Sequence, residues 1–123
     1  MLLNNLFTYK VIESNSFSSL KFQIFIRPDH SIFDGHFPGM PVTPGVCQME
    51  MVKEIFSDYL GGNLIYTSVS NIKFISVWVP NETDSVFMDL SAVDEKTDFN
   101  ISASIYNSHE VYIKVKGRLH DNA

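Results

Sequence analysis

The sequence has little of what marks several specialised classes of protein. Its 123 residues include 1 cysteine, Cys47, so no disulfide can form within the chain, and we expect a reducing, cytoplasmic setting. Lysine and arginine number 9 against 14 acidic residues, and the net charge of −5 argues against non-specific nucleic-acid binding. No apolar run approaches the roughly 20 residues of a membrane-spanning helix, and no export signal is visible.

Motifs for metals and phosphates are missing as well. No group of histidines and cysteines has the spacing of metal ligands, and no glycine-rich phosphate loop follows a strand. We therefore expect no metal and no cofactor. The hydrophobic fraction of 45% is sufficient for one core, and the length predicts a single domain over residues 1–123.

Alternating apolar residues predict about six strands, mostly connected as meanders. A tight turn at Asn107-Ser108 is expected to join the last two. The long segment Leu64 to Val79 shifts its apolar phase between Ser68 and Asn71, which predicts a bend or bulge there. The other predicted strands are Phe7 to Glu13, Leu20 to Ile26, Val86 to Leu90, Phe99 to Tyr106 and Val111 to Leu119.

One segment is typical of a long helix. Thr43 can cap it, Pro44 suits its first position, and Gly61-Gly62 can end it. Apolar residues spaced by three or four predict the face that packs on a core. They are Val46, Met49, Val52, Phe56 and Tyr59. An α+β fold, in which an antiparallel sheet covers one helix, satisfies this inventory.

The segment before this helix is the best candidate for chemistry. Prolines at 38, 41 and 44 fix the backbone and favour a stiff, extended loop around His36. Gly35 and Gly39 permit sharp turns or the close approach of another backbone. From spacing alone, a catalytic histidine and an incidental histidine in a packed loop are both open interpretations.

The stretch resembles the signature of the β-hydroxyacyl-acyl-carrier-protein dehydratases. The matching residues are Gly35-His36-Phe37-Pro38-Gly39, Pro41, Pro44-Gly45-Val46 and Glu50, with a weaker likeness at Phe74 and Val79-Pro80-Asn81-Glu82. The resemblance implies the hot-dog fold, in which a sheet wraps one helix and two subunits pair their sheets. It also implies a homodimer or a larger assembly of dimers, and a role in lipid metabolism such as fatty acid biosynthesis.

The same resemblance assigns roles to residues. His36 would be the base and Glu50 the acid, contributed by different subunits, and water would leave a 3-hydroxyacyl thioester on acyl carrier protein to give a trans-2-enoyl thioester. Histidine suits removal of the proton beside the carbonyl near neutral pH. A carboxylic acid can protonate the leaving hydroxyl. The free N–H groups at the helix start, assigned to Gly45 and Val46, can bind the enolate oxygen.

Other interpretations stay open beside this one. An acyl thioesterase of the same fold, or a non-catalytic acyl-binding subunit, would also fit the fold. Glu54 stands where the resembling family commonly has Gln, and two carboxylates one turn apart repel, so Glu54 is expected to tune Glu50. Cys47 is expected to be a small buried residue rather than a nucleophile. Because carrier proteins are acidic, a local basic patch is expected, and Lys114, Lys116 and Arg118 share one strand face.

Overall fold

The fold is one antiparallel sheet wrapped on one long helix, as the sequence predicts. The computed structural model describes residues 1–34, 41–81 and 83–122. The strands are β1 (Phe7–Ser16), β2 (Ser19–Ile26), β3 (Leu64–Phe74), β4 (Val86–Glu95), β5 (Asp98–Tyr106) and β6 (Val111–Asp121). A short 3-10 turn (Ser31–Phe33) and the helix α1 (Gly45–Leu60) lie between β2 and β3.

The six strands form a single sheet in the order β1-β2-β4-β5-β6-β3. Every pairing of neighbouring strands is antiparallel. The chain leaves β2, runs through α1, and places β3 at the far edge beside β6. This crossover puts the helix against the sheet, and it leaves β1 and β3 as the two edge strands.

The core lies between α1 and the inner face of the sheet. Period-2 alternation on β2, β4 and β5 buries the apolar residues that the sequence predicts to face inward, whereas Phe25 and Val93 lie on the exposed face. On the helix, Met51, Val52, Ile55 and Phe56 are fully buried. Phe56 packs edge-to-face on Phe99, with ring centroids 5.2 Å apart, which joins the helix to β5.

Two details of the predicted helix are wrong. Pro44 rather than Thr43 is its N-cap, and no side chain caps the first turn. Val46 lies off the core face and is 71% exposed, because the buried face runs through Cys47, Gln48 and Met51 instead. The predicted end is confirmed: Gly61 is left-handed at φ 71°, where its amide donates to Asp58 O and Ser57 O.

The irregularity predicted in the long strand is confirmed. The pairing of β3 with β6 shifts register between Tyr66 and Ser68 and again between Val69 and Asn71. The predicted tight turn after β5 is confirmed: it spans 107–110, and the Asn107 amide donates to Glu110 O at 2.9 Å. Within it, Asn107 Oδ1 accepts hydrogen bonds from the amides of His109 and Glu110 at 2.9 and 2.7 Å.

Candidate active site

The start of α1 offers free backbone donors. Pro44 has no amide hydrogen, and the first turn contains no acidic residue. The amides of Cys47 and Gln48 both donate to Pro44 O at 3.1 Å, whereas Gly45 and Val46 have no acceptor among the described residues. These two N–H groups lie at the positive end of the helix dipole. They are therefore placed to receive an oxygen that gains negative charge.

The loop before the helix is pinned to the segment that follows β3. The Thr43 amide donates to Trp78 O at 2.7 Å, and Gln48 Nε2 donates to Thr43 O at 3.2 Å. Trp78 is buried and stacks on Tyr112 of β6, with centroids 5.4 Å apart. This chain of contacts fixes where the helix begins relative to the sheet.

A ring from β3 leans over the helix start. A Cβ atom built on Gly45 would lie 2.7 Å from Phe74 Cζ, so any side chain at this position would displace the ring. Phe74 itself is 59% exposed. The glycine thus lets the edge strand approach the helix start, and Phe74, one of the residues of the weaker resemblance, lies beside the proposed oxyanion donors.

Glu50 lies on the next turn of the helix at the margin of the core. Its side chain is 39% exposed, and Lys53 Nζ lies 3.1 Å from its Oε2. A small cavity of about 180 Å³ opens beside it. The cavity lining includes Met1, Glu50, Lys53, Glu54, Leu64 and Ile65.

Two neighbours respond to the charge of Glu50. Burial raises the pKa of the Cys47 thiol, and the Glu50 carboxylate raises it further. Burial likewise raises the pKa of Tyr66, again with a smaller effect from Glu50, and the Tyr66 hydroxyl donates to Met49 O at 2.9 Å. A buried thiol with a raised pKa is a poor nucleophile, which favours the structural interpretation of Cys47.

Glu54 is much more deeply buried than Glu50, although both line the same small cavity. It is only 6% exposed, and its two carboxylate oxygens accept from the backbone amides of Leu2 and Leu3 at 3.2 and 2.8 Å. The sequence interpretation treated it as a polar residue on the helix face that repels Glu50. The structure makes it the anchor of the N-terminal segment, a role that no sequence pattern signals because the partners are backbone amides 51 and 52 residues away.

His36 and the rest of 35–40 lie outside the described residues, as does Glu82. His120 lies at the surface of the sheet, where its Nδ1 is 2.6 Å from Asp98 Oδ1.

Within the described ranges, no cluster of histidine, cysteine and acidic side chains has the arrangement of a metal site. Among the same residues, no helix is both long and apolar enough to cross a membrane.

A family model for the ApeI-like proteins, described as ApeI dehydratase, matches residues 12–114. The chain belongs to the ApeI-like dehydratase family. The match covers most of the sequence, and it spans both His36 and Glu50. The family resemblance drawn from the signature residues, and the fold that it implied, are confirmed.

Curated relatives of this ApeI-like chain carry the name 3-hydroxyacyl-[acyl-carrier-protein] dehydratase FabZ. The protein from Lawsonia intracellularis is 26% identical over 83 residues, which cover 59% of this chain and 54% of the relative. The protein from Rhizobium rhizogenes is 37% identical over 57 residues, covering 41% and 36%. The chain thus spans about half or less of the length of the curated relatives it matches.

Solved structures share the fold with this ApeI-like chain at low identity. The dehydratase heterocomplex ApeI:P from Xenorhabdus doucetiae aligns with a TM-score of 0.73 at 21% identity, covering 90% of this chain and 98% of that one. The E. coli PaaI protein aligns at 0.66 and 11%, covering 94% and 80%. A hypothetical thioesterase with coenzyme A from Streptococcus pneumoniae aligns at 0.67 and 12%, covering 94% and 90%.

Proposed function

We propose that this ApeI-like chain eliminates water from 3-hydroxyacyl thioesters carried on acyl carrier protein and releases trans-2-enoyl thioesters. The observation that carries the proposal is the family match over 12–114, which includes the whole signature from Gly35 to Glu50. The curated relatives, named as dehydratases of 3-hydroxyacyl-acyl-carrier-protein, support the choice of substrate.

In the proposed mechanism, His36 removes the proton beside the thioester carbonyl. The amides of Gly45 and Val46 bind the enolate oxygen, and two features support this role: both lack another acceptor in the described chain, and both lie in the first turn of α1, at the positive end of the helix dipole. Glu50 then protonates the departing hydroxyl. The Glu50 side chain is 39% exposed and has Lys53 as its one ion-pair partner among the described residues, so a substrate can reach its carboxyl group.

The proposed enzyme is a homodimer, or an assembly of dimers, in which His36 and Glu50 of one site come from different subunits. The edge strand β3 supports this, because it carries exposed apolar side chains and unpaired backbone groups. The exposed residues are Ile65, Val69, Ile72 and Phe74. Sedimentation should give twice the chain mass, or a higher even multiple of it, at assay concentration, and an active monomer would contradict the shared site.

The direct test is a product assay with 3-hydroxyacyl-carrier substrates of graded chain length. Dehydration gives an enoyl thioester that absorbs in the ultraviolet, whereas a thioesterase releases a free thiol. His36→Ala and Glu50→Gln should each stay folded and lose roughly 10² to 10⁴-fold in rate, as general acid–base contributions do. Free thiol as the main product would favour the thioesterase alternative, and binding without turnover would favour the non-catalytic subunit.

A further inference from the structure

The outer face of the sheet, on the side away from α1, carries a concentration of positive charge. A groove of about 650 Å³ runs across this face. Its walls include Lys73, Lys114 and Lys116, which we call the lysine cluster. All three side chains are exposed. The chain as a whole has a net charge of −5, so this positive surface is a local feature, and it includes Lys114 and Lys116 of the strand face considered in the sequence analysis.

The positions of the three lysines in the sheet are electrostatically unfavourable. Lys73 of β3 lies directly opposite Lys114 of β6, and Lys116 stands two residues along the same strand. Like charges in directly opposed positions of antiparallel strands destabilise a sheet. No carboxylate within the described residues forms an ion pair with any of the three.

The strand neighbours of the cluster do not neutralise it. Lys114 pairs in register with Ser104, and Lys116 pairs with Ser102. The acidic residues of the groove, Glu13 and Asp89, are the cross-strand partners of Lys21 on the other half of the sheet. The serine side chains are small and uncharged, so they leave the positive charges of the lysine cluster unneutralised.

Arg118, which the sequence grouped with Lys114 and Lys116, does not belong to this free surface. Its guanidinium lies 3.0 Å from both Glu95 Oε2 and Asp98 Oδ2. The basic patch thus consists of lysines nearer the end of the sheet at which β3 finishes.

That end of the sheet is also where α1 begins. Lys73 and Phe74 are consecutive residues, so their side chains point to opposite faces of the sheet. Phe74 contacts the helix start at Gly45, whereas Lys73 faces the groove. The end of β3 therefore lies between the lysine cluster and the start of α1.

We propose that the lysine cluster is the docking surface for the acidic body of the acyl carrier protein that delivers the substrate. The inference rests on the proposed function. Charge complementarity selects this occupant, since an acidic surface removes the repulsion between Lys73 and Lys114. The thioester arm then passes around the end of β3 to the start of α1.

The test is charge reversal at two members of the cluster, Lys114→Glu with Lys116→Glu. The matched control is Lys10→Glu with Lys96→Glu, which changes the net charge equally at two exposed lysines outside the groove. Each protein is assayed with the same 3-hydroxyacyl group on carrier protein, on coenzyme A and on N-acetylcysteamine. Binding of the carrier protein itself is measured in parallel by surface plasmon resonance.

We expect the cluster variant to raise KM for the carrier-bound substrate by about tenfold or more and to leave the N-acetylcysteamine thioester unaffected. Carrier binding should weaken by a similar factor and lose much of its salt dependence. The control should match the unaltered protein. Equal losses with all three substrates, equal losses with carrier and coenzyme A, or an unchanged KM for the carrier substrate would each overturn the proposal.

The binding arm separates this inference from the proposed function. If no substrate is dehydrated, the proposed activity fails, yet carrier binding that depends on the cluster would still support the docking surface. If dehydration proceeds and carrier binding does not depend on the cluster, the docking surface alone fails.

Discussion

Replacing Glu54 by Gln tests the role that the structure gives this residue. The side chain is 6% exposed, and its two oxygens accept from the amides of Leu2 and Leu3. A glutamine can present only one acceptor oxygen toward these two donors. Its NH₂ group would face the second amide, so one buried N–H would lose its partner and donor would oppose donor.

The expected cost follows from the bonds that are lost. A hydrogen bond to a charged group contributes about 1.5–3 kcal/mol, and leaving the remaining donor buried without a partner falls in the same range. We therefore expect Glu54→Gln to reduce the free energy of unfolding by about 2 kcal/mol. For a chain of this length that corresponds to a fall in melting temperature of roughly 5–10 °C.

The assay is thermal unfolding followed by circular dichroism, combined with hydrogen exchange at the Leu3 amide. Glu50→Gln is the matched control, since it makes the same change one turn earlier, where the side chain is 39% exposed and forms an ion pair with Lys53. Its free energy of unfolding should change by less than about 0.5 kcal/mol, as for most surface substitutions, and its melting temperature should shift correspondingly little.

The effects of the two variants on activity should be the reverse of their effects on stability: Glu50→Gln should lose turnover and Glu54→Gln should keep it. Glu54→Gln should retain turnover at temperatures where it is folded, because the side chain holds the N-terminal segment and lies outside the proposed chemistry. An unchanged melting temperature together with unchanged protection of the Leu3 amide would refute the anchoring role. Loss of turnover in folded Glu54→Gln, with Glu50→Gln still active, would refute the assignment of the acid.

Three further predictions concern other parts of the site and the sheet. Gly45→Ala should lower kcat/KM about tenfold with little loss of folded protein, because the methyl group displaces Phe74 over the helix start. Steady-state kinetics would measure the loss of activity and a thermal scan the folded protein, and full activity of the variant would contradict the prediction. Cys47 should react with a disulfide reagent at pH 8 at least about tenfold faster in urea than in the native protein, since burial raises its pKa; equal rates would argue for an accessible thiolate. The hydrogen bond from His120 lowers the pKa of Asp98, so the ionised Asp98 stabilises the fold above the ordinary aspartate pKa, and this stabilisation is lost as the pH falls through the lowered pKa. Asp98→Asn should therefore melt at a lower temperature than the unaltered protein at pH 7, and the two melting temperatures should converge at strongly acidic pH.

Much of the fold follows from local pattern. The alternation in β5 and β6 specifies strands because successive side chains of a strand face opposite sides, and Ile113, Val115 and Leu119 are buried where the sequence predicts them, whereas Tyr112, predicted to face outward, is buried against Trp78. Gly61 ends the helix because it adopts a left-handed conformation at little cost. The signature from Gly35 to Glu50 led to the family without any knowledge of tertiary contacts.

Tertiary structure decided what depends on residues distant in sequence. Thr43 is a good cap by type, yet its amide is bound to Trp78 O, and Pro44 takes the cap position instead. The sequence predicts that Glu54 interacts with Glu50, but in the fold the backbone amides of Leu2 and Leu3 donate to the carboxylate oxygens of Glu54. Lys73 and Lys114 become neighbours only because the crossover places β3 beside β6, so the lysine cluster is a property of strand order. The sequence by itself determined periodicity, turn chemistry and the family signature, which are local; the partners of each polar group were decided by the fold, because they are set by which elements meet in space.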